Sequence, residues 1–254
     1  MFSVILFLLL FLKPSFIFSQ DLIPQYQTDL SYQQDLYNQS YDLFLQKKTV
    51  HQQYNSIATE KELIDAIKKT TQHRNSLLVA YLNLITAKLD IYKSQDSSPN
   101  TFKIQNVLNQ QNIWLQNQPT KITSISNKSQ LDQYNQQFSQ SYKQIQQYIN
   151  NALIQSQVNH QNLIISQIKN LLLKIKASPN FDSQAQNWIV EIESQLNDST
   201  DFISQALLQV KTDNPESYTD YSDLYQEAKP YLDSSKQNLF KVIENISGVI
   251  KKFI

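Results

Sequence analysis

The sequence predicts an all-α fold, a long antiparallel helical hairpin followed by a three-helix bundle with coiled-coil-like packing. Only one glycine, Gly248, occurs in 254 residues, where average usage would give about 18. Glycine supplies the positive-φ positions that tight β-hairpins and bulges need. In addition, apolar side chains recur at three- and four-residue steps along most of the chain. Long helices need glycine least, because Asn, Ser, Thr or Asp can cap their ends.

Composition excludes several classes of site. The sequence contains no cysteine, which excludes disulfides, Cys-ligated zinc, iron–sulfur clusters and thiol nucleophiles. The 22 basic and 22 acidic residues give zero net charge, so no overall field attracts nucleic acid or an anionic membrane. Asn and Gln make up about a fifth of the chain and supply the polar helix faces. We therefore expect no nucleic-acid partner.

The N-terminal residues 1–19 are interpreted as a signal peptide. An unbroken apolar run from Val4 to Leu12 is too short for a membrane span, which needs about 20 residues, but it fits the apolar core of a secretory signal. Ile17 and Ser19 suit the positions before a cleavage site at Gln20. An uncleaved anchor is the alternative, and it would be the chain's one contact with a membrane. In both cases the body is expected to be secreted or to lie in the cell envelope, outside the cytoplasmic membrane.

The rest of the chain divides into two parts joined by a linker. Residues 20–118 are predicted to form the N-terminal hairpin plus a short helix, residues 119–128 the linker, and residues 129–254 the C-terminal helical bundle. The hairpin helices are expected over 25–54 and 60–94. The second is expected to start at a capping box in which Thr59 and Glu62 bond each other's amides.

The C-terminal bundle is predicted to contain three helices. They are expected over 129–177, over 182–211, and from 219 to the C-terminus. Pro230 is expected to kink the last helix or to split it, because proline lacks the amide donor that a helix interior requires.

Catalytic and metal-binding patterns are missing from the sequence. One glycine cannot build a phosphate-binding loop or a nucleophile elbow. The three histidines, His51, His73 and His160, are far apart, and His73 with Arg74 is placed on the polar side of the second helix. We therefore predict no catalytic residue, no metal and no cofactor, and we expect that the protein is not an enzyme.

Tyrosine is the most informative residue type, with fourteen copies, many at helical spacing. The candidate interaction surface consists of Tyr26, Tyr37, Tyr41, Tyr221 and Tyr225. Aromatic platforms can stack on sugars, but tyrosine is also a common core or interface residue whose hydroxyl reaches water. An exposed, concave row of Tyr26, Tyr37 and Tyr41 would favour glycan binding, whereas a flat apolar patch would favour a protein partner.

A family resemblance adds to this interpretation. From Tyr54 to Leu82, a tyrosine-rich helix is followed by a threonine cap and an Arg-x-x-Leu-Leu-x-x-Tyr-Leu helix. This order resembles uncharacterised exported all-helical proteins of the candidate-phyla-radiation bacteria, over the N-terminal half only. The resemblance implies an envelope or extracellular setting and no particular activity. In its Gln-rich, exported helical character the chain is also similar to ciliate secretory-granule matrix proteins.

Two functions follow as expectations. The first is an exported, non-catalytic structural or protein-interaction module of the cell envelope or extracellular space. It would act through its helix faces on an envelope protein or on a second copy of itself. The alternative is a tyrosine-lined binding module for glycan or cell-wall polymer.

Overall fold

The computed structural model describes residues 22–91, 99–178, 182–210 and 223–253. The predicted signal peptide, residues 1–19, lies outside these residues, as does Tyr221. Every regular element in the described ranges is a helix, which confirms the all-α prediction. In chain order the helices are α1 (Leu22–Tyr54), α2 (Ile57–Ile91), α3 (Pro99–Gln116), α4 (Gln118–Ser124), α5 (Lys128–Lys176), α6 (Ser183–Val210) and α7 (Asp223–Phe253).

The α1–α2 hairpin turns within two residues, without glycine. Asn55 has a φ of 40°, in the left-handed region that asparagine tolerates better than most non-glycine residues. Its amide donates to the His51 carbonyl at 2.8 Å, which closes the end of α1. The two helices then run antiparallel, as the bond from Thr70 Oγ1 to the Ser40 carbonyl at 2.8 Å shows far from the turn. The predicted hairpin is therefore present.

The capping box that starts α2 differs from the predicted one. Ser56 caps the helix, because its Oγ accepts from the Thr59 amide at 3.2 Å while Thr59 Oγ1 accepts from the Ser56 amide at 3.1 Å. Glu62 forms an ion pair with Lys47 of α1 at 2.8 Å instead. The prediction that Thr59 is the cap was wrong by one turn, because a cross-helix cation was available to the glutamate.

The N-terminal core lies between α2, α3, α4 and the first half of α5. Fully buried leucines and isoleucines from all four helices form it, together with Phe138 and Tyr134. Helix α1 packs along α2 from outside, and Ser40 is its one buried residue. Burial of apolar surface is the main stabilising term in folding. Helix α1 therefore contributes little fully buried surface to this half.

Residues 119–128, the predicted linker, include all but the first residue of the short helix α4. Ile122 is fully buried and Ile125 is 6% exposed, and both belong to the N-terminal core. Proline occupies the first turn of α4, where its missing amide costs no helical hydrogen bond. Because this segment is rich in Ser and Thr, its sequence did not indicate that these two apolar side chains are buried. The division of the chain into domains stays a prediction.

The C-terminal core is a three-helix bundle of α6, α7 and the second half of α5, as predicted. Helix α5 has 49 residues and is therefore about 74 Å long. It contributes Phe138 and Ile145 to the N-terminal core, and Ile165 and Leu172 to the C-terminal core. One continuous helix thus connects both cores.

Helix α7 is continuous through Pro230, so of the two expected outcomes, a kink or a split, the split does not occur. Proline in a helix interior removes one backbone hydrogen bond, at a cost of about 3 kcal/mol. Ala228 and Leu232 on either side of the proline are fully buried in the C-terminal core. This packing holds the helix together across the missing bond.

Amide side chains enter the middle of α5, where the two cores meet. The buried Gln155 donates to Asn159 Oδ1 at 2.7 Å, and the buried Gln161 donates to the Leu232 carbonyl of α7 at 2.9 Å. Buried polar groups need such partners to offset their desolvation. Among the helices in the described ranges, none combines the length and apolar character needed to cross a membrane.

Candidate binding site

A cavity of about 620 Å³ opens between α1, α2 and α5. We call it the aromatic cleft. Aromatic rings from α1 and α5 face each other across it, and α2 forms its floor. Its lining residues are Tyr37, Tyr41, Phe44, Ile67, Thr70, Thr71, Arg74, Leu77, Leu78, Asn135, Phe138, Ser139 and Tyr142.

The α1 wall of the cleft is a short aromatic stack. Tyr37 and Tyr41 are one helical turn apart, and their ring centroids lie 6.0 Å from each other with 30° between the planes. Tyr41 also contacts Phe44, with the centroids 5.8 Å apart and the planes tilted by 46°. Side chains three and four positions apart share one helix face, so the local sequence places these rings on one side of α1. Tyr41 remains 42% exposed.

The α5 wall is built on Phe138. This ring is 4% exposed and stacks on Tyr142 with the centroids 6.0 Å apart and 18° between the planes. Tyr134 lies one turn earlier, 6.1 Å from Phe138. Trp114 of α3 supports Phe138 from the N-terminal core at 5.6 Å. Phe138 on the α5 wall is thus buried, whereas Tyr41 on the α1 wall is partly exposed.

Arg74 is the only arginine of the sequence, and it lies between these walls. Its guanidinium carbon is 3.6 Å from the centroid of Phe138, a close cation–π contact. Its Nε and Nη2 atoms are buried and have no hydrogen-bond partner. Burial lowers the pKa of the guanidinium, and the neighbouring Tyr134 hydroxyl partly opposes this shift. The site therefore holds a desolvated positive charge, because arginine stays protonated in proteins.

The Tyr134 hydroxyl is fixed beside this charge. It accepts a hydrogen bond from Asn75 Nδ2 at 3.2 Å. Burial raises the pKa of the Tyr134 phenol, although Asn75 and Arg74 both act to lower it. The hydroxyl therefore stays neutral at ordinary pH and cannot serve as a counter-ion to Arg74.

The structure does not gather the predicted tyrosines at one place. Tyr37 and Tyr41 line the aromatic cleft. Tyr26 borders a separate, smaller depression of about 250 Å³, beside Asn83 and Asp90 of α2. Tyr225 packs on the C-terminal core, and its hydroxyl accepts from Gln157 Nε2 at 2.6 Å. A single row of Tyr26, Tyr37 and Tyr41 is therefore not formed.

The placement of Arg74 on the polar side of α2 was wrong. A lone basic residue within a helical pattern is usually solvated, and the ring that covers this one, Phe138, comes from a distant helix. One signal was present in the sequence. Of the 22 basic residues, all but Arg74 are lysine, so a planar, multi-donor cation occurs at a single position.

The aromatic cleft can bind, but its lining includes no carboxylate or imidazole that could transfer a proton. Across the described ranges, no group of three His, Asp or Glu side chains is arranged to hold a metal ion. Aromatic faces and one unpaired cation instead suit an anionic group attached to an apolar one. No family model, curated protein or solved structure matches the chain.

Proposed function

We propose that the protein is a non-catalytic interaction module that acts outside the cytoplasm and binds a segment of a partner polypeptide in the aromatic cleft. The observation that carries the proposal is the aromatic cleft itself, which lies open between α1 and the firmly packed helices α2 and α5. Its volume of about 620 Å³ falls within the range typical of ligand sites, and it would hold two or three large side chains.

The lining has the composition of a protein-binding hot spot. Tyrosine and arginine are enriched among the residues that dominate interface energies, and here Tyr37, Tyr41 and Tyr142 surround Arg74. Aliphatic side chains, Ile67 among them, fill the floor between the rings. This mixture favours an apolar or aromatic side chain of a partner over a fully hydroxylated ligand.

The setting and the lack of catalysis belong to the same proposal. The apolar run from Val4 to Leu12 supports export. A fold that contains no cysteine is insensitive to the redox state of its compartment. The lining of the cleft, which includes no carboxylate or imidazole, supports binding without chemistry.

A glycan or cell-wall polymer is the second candidate ligand. The observation in its favour is the Tyr37–Tyr41 stack with its partly exposed outer ring, since sugars bind on such rings. The two candidates differ in the number of polar partners that they need from the cleft, and a sugar needs several. One polar group of the lining, Thr70 Oγ1, is already within hydrogen-bond distance of the Ser40 and Ala66 carbonyls, which makes it less available to a sugar.

Site-specific photocrosslinking tests the proposed function. A photoreactive phenylalanine replaces Tyr41 in the cleft or, as the matched control, Tyr32. Tyr32 is on the same helix and 59% exposed, but it does not line the cleft. We expect a discrete protein adduct in native cell-surface material from position 41 alone. The crosslinked partner, once purified, should bind the wild type and lose affinity for Tyr41→Ala.

Three results would overturn the proposal. They are equal adducts from both positions, no protein adduct from either, or retention of the protein on purified cell-surface polymer that Tyr41→Ala abolishes. The last result would establish the glycan alternative.

A further inference from the structure

We infer that Arg74 recognises a carboxylate on the segment that enters the aromatic cleft. The ligand is an acidic group placed beside an aromatic or aliphatic side chain of a partner polypeptide. The inference rests on the proposed function, because it names the chemistry of the occupant of that same cleft.

The unpaired nitrogens of Arg74 are the first argument. Nε and Nη2 lie on one edge of the guanidinium plane, and these are the two atoms without a hydrogen-bond partner. Two parallel N–H groups on one edge match the two oxygens of a carboxylate. The face of the same guanidinium is already occupied by Phe138. The edge is therefore the part of the group left for a ligand.

The described part of the cleft supplies no carboxylate at this position. The groups that act on the Arg74 pKa besides burial are the side chains of Tyr134, Tyr37 and Tyr142. The lining contains no Asp or Glu. A buried cation without a counter-ion costs free energy that the fold must offset elsewhere. An incoming carboxylate would remove that cost.

The surroundings restrict the kind of anion. One cation in an apolar cleft balances one negative charge, and a phosphate dianion would bring a second charge into surroundings of low polarity. The rings of Tyr41 and Tyr142, which both line the cleft, offer contact to an apolar group bound next to the carboxylate. A monovalent acid joined to a hydrophobic side chain satisfies both features.

Access to the buried edge involves α1. The Nε and Nη2 atoms are covered in the unliganded protein, and Tyr37, Tyr41 and Phe44 form the α1 side of the cleft. Since Ser40 is the one buried residue of α1, an occupant there would displace partly exposed rings and no fully buried side chain of α1. The occupant would insert between the α1 wall and the fixed ring of Phe138.

A nuclear magnetic resonance titration tests the inference directly. Because the sequence has one arginine, the ¹⁵N-labelled protein gives a single Nε–Hε signal that needs no assignment by mutation. The probes are 3-phenylpropionate, its uncharged amide, and glucuronate as an acidic sugar. We expect 3-phenylpropionate to shift the signal and to bind at least about tenfold more tightly than the amide.

Three variants test whether 3-phenylpropionate binds in the aromatic cleft and at Arg74. Tyr41→Ala should weaken binding of 3-phenylpropionate, whereas Tyr32→Ala should leave it unchanged. In a Trp188→Phe background, where Trp114 is the one tryptophan, Arg74→Lys should weaken the binding followed by fluorescence, because lysine keeps the charge but loses the two-donor edge.

The outcomes separate this inference from the proposed function. If the acid and the amide bind equally well, or if neither binds, the inference is overturned, and the crosslinking from position 41 still decides whether the cleft is an interaction surface. If glucuronate binds as tightly as 3-phenylpropionate, the occupant is an acidic sugar and the polypeptide ligand is overturned. If no protein is crosslinked from position 41 but 3-phenylpropionate still binds selectively, carboxylate recognition by Arg74 is supported and the protein partner is overturned.

Discussion

Arg74 rests on the face of Phe138, with 3.6 Å between the guanidinium carbon and the ring centroid. The contact joins α2 to α5 and places the chain's one arginine against an aromatic surface. Elsewhere in the described residues, cations such as Lys47 and Lys176 pair with carboxylates at the protein surface. The Arg74–Phe138 pair is therefore the feature on which the proposed ligand site depends.

Replacement of Phe138 by leucine should destabilise the protein. The ring is 4% exposed and contacts Trp114, Tyr134 and Tyr142 as well as Arg74. Its loss leaves a cavity and removes the cation–π contact, so we expect the free energy of unfolding to fall by about 2 kcal/mol in urea denaturation. Phe240→Leu is the matched control, because that ring is 57% exposed and its cation, Lys236, is 5.8 Å away. An equal effect of the two changes would contradict this account.

The turn between α1 and α2 depends on the backbone of Asn55. Its φ of 40° is costly for a residue with a Cβ that cannot form local hydrogen bonds. Asn55→Ala should lower the free energy of unfolding by about 1 kcal/mol, and Asn55→Gly should not lower it. Thermal denaturation of the two variants provides the measurement. A stability ranking with alanine above glycine would show that the turn is not left-handed at this position.

The single glycine is a site where stability can be gained. Gly248 is within α7 and does not have a positive φ, and an added Cβ would meet no atom within 4 Å. Gly248→Ala should therefore raise the free energy of unfolding by about 1 kcal/mol, because alanine loses less backbone entropy in a helix. Ser247→Ala, one residue earlier, serves as the control and should change it by less than about 0.5 kcal/mol. Destabilisation by the alanine at 248 would mean that this face of α7 is in contact with something else.

The two cores should unfold together. Trp114 packs against the N-terminal core and Trp188 against the C-terminal core, and helix α5 connects them without a break. Single-tryptophan variants, Trp188→Phe and Trp114→Phe, report each core by fluorescence. In each variant, we expect the urea midpoint measured by tryptophan fluorescence to equal the midpoint measured by circular dichroism. Separate midpoints would show two independent domains.

The sequence was sufficient to predict most of the fold. Apolar residues of α5, from Leu131 to Ile175, recur at helical spacing and are buried as a stripe, because a periodic pattern determines which face of a helix packs. The continuity of α7 through Pro230 was not predictable in this way. It depends on the burial of Ala228 and Leu232 in a bundle, which is a tertiary effect that local proline rules do not include.

The candidate site was only half predictable. Tyr37 and Tyr41 could be found as a pair, because their spacing fixes them on one face of α1. Arg74 could not be placed, since its burial depends on Phe138, which reaches it from α5. Helical periodicity predicts on which face of its own helix a side chain lies. It does not predict which residue of another helix that side chain will contact.

The most direct test of the central claim compares the wild type with Arg74→Met in urea denaturation, with and without 3-phenylpropionate. Methionine keeps the packing of the side chain but removes the buried charge. Without the ligand, the variant should be at least as stable as the wild type, because an unpaired buried cation is unfavourable. At ten times the dissociation constant, the ligand should stabilise the wild type by about 1.4 kcal/mol and leave the variant unchanged. Equal stabilisation of both proteins, or a ligand-free variant less stable by more than about 2 kcal/mol, would show that Arg74 has a structural role and is not a ligand site.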